Sequence, residues 1–79
     1  MRLSDLAIGQ VGIITGMGAF SASTQRLMEL GVLEGEQISI VAIPPWGDPL
    51  EVEVGATRLS LRKSDAQLIE IELLPPVSS

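Results

Sequence analysis

The chain of 79 residues contains no cysteine and no histidine. Without cysteine there is no disulfide, no thiolate metal ligand and no thiol nucleophile. Without histidine the commonest general base and the commonest metal ligand are both missing. Aromatics are nearly absent: Phe20 and Trp46 are the only two. That is few for a core and too few to wall a groove for proline-rich peptides. Basic residues are scarce as well, five Lys and Arg against ten Asp and Glu, for a net charge of −5. A surface that neutralises phosphates needs the opposite balance, so nucleic acid and anionic membrane surfaces are not the expected partners. The wholly apolar runs are too short to span a bilayer. Met1-Arg2-Leu3-Ser4-Asp5 lacks the apolar region of a signal peptide, so the expected location is the cytoplasm, without membrane insertion.

What is present is most ordered between Gly47 and Arg62. Leu50, Val52 and Val54 alternate with Glu51 and Glu53, and Leu59 and Leu61 alternate with Arg58, Ser60 and Arg62. A period of two marks strands with one buried and one wet face. Gly55-Ala56 between them suits a two-residue type II′ hairpin turn with glycine first. The register follows: Val54 faces Thr57, Glu53 faces Arg58, Val52 faces Leu59, Glu51 faces Ser60 and Leu50 faces Leu61. A slip of one residue would send every apolar side chain to the wet face.

The rest of the chain supplies further short elements. Leu3-Ser4-Asp5-Leu6 is an opening segment that packs two leucines. Gln10 to Thr15, bounded by Gly9 and Gly16, reads as the first strand, and Met17 to Ala22 as a loop. Ser21, Ser23 and Thr24 are candidate N-caps for a short helix running to Leu30, with Gly31 beyond its end. Leu27 and Leu30 are expected to face the core, with Arg26 and Glu29 outward. Gln37 to Ile43 is a second strand, and Pro44 to Pro49 a stiff loop. Lys63 to Ala66 suits one helical turn. Gln67 to Leu73 alternates again, with Ile69, Ile71 and Leu73 against Glu70 and Glu72. The expected core is Ile13, Leu27, Leu30, Ile38, Ile40, Val52, Val54, Leu59 and Leu61. One domain over residues 1–74 and a disordered tail over residues 75–79 are expected. Five short strands and one short helix make this mainly β, as a small SH3-like barrel whose closure removes most sheet edges.

At this point the residues resemble a known family. Leu3-x-Asp5-Leu6, Gly9 and Gly12, Arg26-Leu27-x-Glu29-Leu30-Gly31, Gly35, Pro45-x-Gly47-Asp48-Pro49-Leu50 and Leu59-x-Leu61-Arg62 fall in order and at familiar spacing. Together they resemble the FeoA family, ferrous iron transport protein A, from Met1 to about Leu73. The resemblance implies an SH3-like fold. It also implies a small cytoplasmic accessory protein that works by protein–protein contact with the ferrous iron transporter FeoB, whose cytoplasmic G domain is the expected surface. Domains of this kind also resemble the C-terminal module of iron-dependent repressors, so a metal-linked regulatory module is the alternative, with a weakly homo-oligomeric structural domain a third. Three positions depart from the family pattern. Ser23-Thr24-Gln25 stands where the family helix is often basic. Trp46 occupies a commonly aliphatic loop position. The hairpin glycine lies one residue early, with Ala56 in its usual place.

No catalytic residue, cofactor or metal set is expected. Ser21, Ser23 and Thr24 have no His or Lys to activate them. Gly16-x-Gly18 lacks the Gly-Lys-Ser/Thr ending of a phosphate loop. The Glu51, Glu53, Glu70 and Glu72 carboxylates suit either a weak hard-cation site or a solvated face. Asp48 suits either a ligand or an Asx-type turn. The candidate partner-binding residues are Phe20, Arg26, Trp46, Arg58 and Arg62. Phe20 and Trp46 are aromatic anchors in loops, although either can instead plug an end of the barrel. Arg58, Arg62 and Lys63 form a basic patch on an acidic chain, suited either to docking or to pairing with Glu53.

Overall fold

Alternation of apolar and polar residues dictates the sheet. The computed structural model describes residues 1–75. Its elements run as a 3-10 turn over Leu3–Asp5, β1 (Val11–Met17), α1 (Ala22–Glu29), β2 (Gln37–Ala42), β3 (Leu50–Val54), β4 (Thr57–Leu61), the short α2 (Lys63–Ala66) and β5 (Ile69–Leu73). The strands form one antiparallel sheet in the order β4-β3-β2-β1-β5. The architecture is mainly β with one short helix and a single further helical turn. Pro76 to Ser79 lie outside the described residues, and so does most of the expected tail.

The β3–β4 hairpin has the register its sequence dictates, from Val54 opposite Thr57 to Leu50 opposite Leu61. Gly55 takes φ 58, while among the described residues no non-glycine residue has positive φ. One left-handed residue at the first turn position is what a II′ turn requires. Among the described residues full closure does not occur by strand pairing: β4 and β5 remain the end strands, and α2 carries the chain from one to the other. Part of the β5 edge is covered by the chain's start. There Arg2 bridges to Glu70, and the Ile71 N–H donates to the Met1 carbonyl at 2.8 Å.

The core lies on the inner face of this sheet. Ile14, Ile38, Ile40, Leu50, Val52, Val54, Leu61, Ile69 and Ile71 point into it, and Leu3, Leu6, Leu27, Val32 and Ala66 close it. Ser21 caps α1, accepting from the Thr24 N–H through its hydroxyl, and the Ser21 N–H donates to Thr24 Oγ1. The helix ends in a Schellman motif: Gly31, at φ 99, donates to the Met28 carbonyl, and Val32 donates to the Leu27 carbonyl.

Several expected positions move. Leu30 is not core but 42% exposed, because it is the C-cap residue and Val32 takes the buried position after the Gly31 turn. Ile13 is half-buried on the outer face, and its neighbour Ile14 is the core residue. A bulge between Ile14 and Gly16 shifts the register there and extends β1 through Met17, into the expected loop. Leu59 is half-buried on the end strand, while Leu73 at the end of β5 and Ile43 beyond the end of β2 are exposed.

Candidate protein-interaction site

Phe20 stands one residue before the N-cap of α1, where an apolar side chain usually folds onto the fourth helical residue as a hydrophobic staple. That residue is Gln25, which offers no apolar partner, and Phe20 is left 76% exposed. Its ring edges an open cavity of about 240 Å³ shared with Met17, Thr24, Met28, Leu33 and Glu34. Gly18 fixes the loop from below by donating to the Leu68 carbonyl at 2.9 Å.

Trp46 is 77% exposed and does not plug the barrel. It is the third residue of a turn closed by the Gly47 N–H donating to the Pro44 carbonyl at 2.8 Å. Proline second and glycine fourth match a type I turn. Asp48 next anchors the loop: its Oδ1 accepts from the Lys63 N–H at 2.8 Å, at the start of α2. This is the role of the Gly-Asp-Pro segment, a tie rather than a free ligand. A second open cavity of about 310 Å³ lies under the indole, lined by Ala42, Ile43, Pro44, Trp46, Pro49, Glu51 and Ser60. It shares no residue with the Phe20 cavity, so the two aromatics edge separate grooves.

The bases do different things. Arg26 projects from α1, as expected, but its Nη2 sits 2.9 Å from Asp65 Oδ2. The Asp65 carboxylate is buried, and the same oxygen accepts from the Arg62 N–H at 3.3 Å. Arg26 therefore joins α1 to α2. Arg58, Arg62 and Lys63 are exposed. Glu53 and Arg58 are opposite in register, yet the ion pair formed among the described residues is Arg26–Asp65. Sequence reasoning missed Asp65, which lies 39 positions from Arg26. It also missed Met17, Met28, Leu33 and Ile43 as groove walls, since an apolar residue reads as core until its face is known.

Among the described residues no group of three or more Asp, Glu, His or Cys side chains converges to hold a metal ion. No helix of the described residues is long and apolar enough to cross a membrane. The arrangement presents exposed apolar and charged side chains to solvent.

The FeoA domain family model matches residues 1–73. The chain belongs to the FeoA family. It is 34% identical over 74 residues to a Porphyromonas gingivalis protein described as an Fe(2+) transport protein A/Fe(2+) transporter FeoB fusion. The match takes in 94% of this chain but 9% of that relative's length. Among solved structures, Stenotrophomonas maltophilia FeoA complexed with zinc, described as an SH3 domain protein, is 36% identical with a TM-score of 0.81. The match covers 91% of this FeoA domain and 89% of that chain. A manganese-dependent transcriptional repressor shares the fold alone, at 16% identity and a TM-score of 0.84 over 94% of this chain and 41% of the repressor. The SH3-like architecture expected of the sequence is thus the architecture of its relatives.

Proposed function

We propose that this FeoA domain is a non-catalytic accessory of ferrous iron transport that works by contact with an FeoB-type transporter, through the transporter's cytoplasmic G domain. One observation carries the reading: in the Porphyromonas gingivalis relative an FeoA segment and an FeoB transporter share one polypeptide. Fusion keeps two modules at high effective concentration, which favours pairs that act together. The surface supports it. Phe20 and Trp46 are large, exposed and backed by tied loops, as interface anchors are. Arg58 and Arg62 supply exposed charge on the end of the sheet, and Arg26 sits at the α1–α2 junction between them and the Phe20 loop.

The test is calorimetric titration of the FeoA domain into the soluble G domain of an FeoB transporter, with and without guanine nucleotide. Saturable binding that weakens in Phe20→Ala or Trp46→Ala is the expected result. Absence of binding in every nucleotide state overturns the reading. The regulatory alternative draws on the repressor's shared fold. It predicts binding to a transcription factor rather than to the G domain.

A further inference from the structure

The Trp46 groove differs from the Phe20 groove in the chemistry of its wall. Pro44, Pro49, Ile43 and Ala42 give it apolar sides, the indole forms its overhang, and Glu51 brings a carboxylate into the lining. Glu53 lies further along the same wet face of β3. Opposite Glu51 in the register is Ser60, which carries no charge. The Glu51 carboxylate has no hydrogen-bond or ion-pair partner among the described residues. An electron-rich indole face and an unpaired carboxylate in one apolar groove complement a planar cation with an apolar stem. Arginine is that group, because its guanidinium stacks on aromatic faces and accepts a carboxylate beside it. The turn from Pro44 to Gly47 and the Asp48 tie to Lys63 fix the backbone that carries the indole before any ligand arrives, so the loop itself needs little ordering on binding.

We infer that Trp46 and Glu51 form an arginine-receiving groove for an extended segment of a partner protein, one that sets an arginine beside an apolar residue. Charge decides between this occupant and a second copy of the chain. Self-association would bring one net charge of −5 against another, whereas a single arginine meets a chain of opposite net charge and the unpaired Glu51, with Arg58 and Arg62 lying to either side of Ser60 across the hairpin. The inference rests on the transporter contact proposed above and names the chemistry of one part of it.

Trp46 is the only tryptophan, so its fluorescence reports the groove directly. The probe is the peptide acetyl-Ala-Pro-Leu-Arg-Pro-Ala-amide, with a citrulline version of the same shape and no charge. The arginine peptide is expected to change Trp46 emission saturably, and the citrulline peptide to bind about 5-fold more weakly or less well still. Glu51→Gln should weaken the arginine peptide roughly 2- to 5-fold. Trp46→Leu keeps apolar volume but removes the indole face. Followed by amide NMR shifts at Glu51 and Ser60, it should lose a similar factor. Glu72→Gln, on β5, should bind as wild type does. Equal binding of the two peptides, or an unchanged Glu51→Gln, overturns the inference. So does a concentration-dependent emission shift of the chain alone, with dimer in sedimentation, since the groove would then hold a second copy. The transporter reading fails separately. If Glu51→Gln and Trp46→Leu bind the G domain as wild type does, the contact stands and the groove assignment falls. If the arginine peptide binds at Trp46 while wild type ignores the G domain, the groove stands and the transporter contact falls.

Discussion

Arg26 on α1 places Nη2 2.9 Å from the buried carboxylate of Asp65 on α2, with the arginine side chain 57% exposed and the aspartate 7%. The pair is lopsided: the cation is solvated and the anion is not. Truncating the two ends should therefore cost unequal amounts. Arg26→Ala leaves Asp65 with the Arg62 N–H and should cost about 1 kcal/mol, the range of a mostly exposed pair. Asp65→Ala removes the buried acceptor of both groups and should cost about 2–3 kcal/mol. Urea titration of the singles and the double mutant checks this. Equal losses for the two singles would mean that the carboxylate is not the structural centre. Because Arg26 is also a candidate contact, binding lost in Arg26→Ala counts toward the interface only at matched folded fraction.

Leu61→Ala should cost about 2–5 kcal/mol, because Leu61 is fully buried and pairs with Leu50 across the hairpin. Leu30→Ala should cost no more than about 1 kcal/mol, since the side chain is largely outside the core. Chemical denaturation of both variants separates them, and the reverse ranking would put the helix end in the wrong place.

Two glycines are predicted to resist alanine for different reasons. At Gly31 the backbone sits at φ 99 with no atom near an added Cβ, so the cost is conformational, about 1–2 kcal/mol. At Gly12 an added Cβ would lie 2.9 Å from Ile71 Cδ1 and 3.3 Å from the Glu72 carbonyl oxygen, so the cost is steric, about 1–3 kcal/mol. Trimming Ile71 to Val in the Gly12→Ala background should recover stability in melting experiments, and no rescue is expected for Gly31→Ala.

Ferrous iron should not bind this chain tightly. Thiolate and imidazole ligands are absent, and no convergent carboxylate cluster occurs among the described residues. Anaerobic calorimetry should give no affinity below the micromolar range, and a sub-micromolar site would contradict the expectation.

The hairpin was legible in the sequence because alternation, a glycine turn and a facing acid and base all point to one register. α2, Gly31 beyond the end of α1 and the two packed opening leucines were legible for similar local reasons. The facing of the first strand was not: Ile13 and Ile14 are adjacent apolar residues that carry no period, and only the pairing puts Ile14 in the core. Leu30 and Val32 look interchangeable until the Schellman turn rotates one outward and one inward. The aromatics were legible as candidates, but the absence of a staple partner at Gln25 and the closed turn at Trp46 decide why both rings stay uncovered. The Arg26–Asp65 tie is a long-range event that no local pattern announces.

The Asp48 tie to the α2 start has a further consequence. It fastens the Trp46 loop to α2, and Asp65 on α2 is fastened to Arg26 on α1, the helix whose start carries Phe20. The loops that carry the two rings are therefore linked through α2 by one hydrogen bond and one ion pair. If both rings are the anchors proposed above, that link would work as a gauge. A partner that offers two anchors at the matching spacing engages both, and the second then adds to the first with little further entropy loss. A partner with the wrong spacing is left with one weak contact, so selectivity comes from the distance between two ordinary anchors.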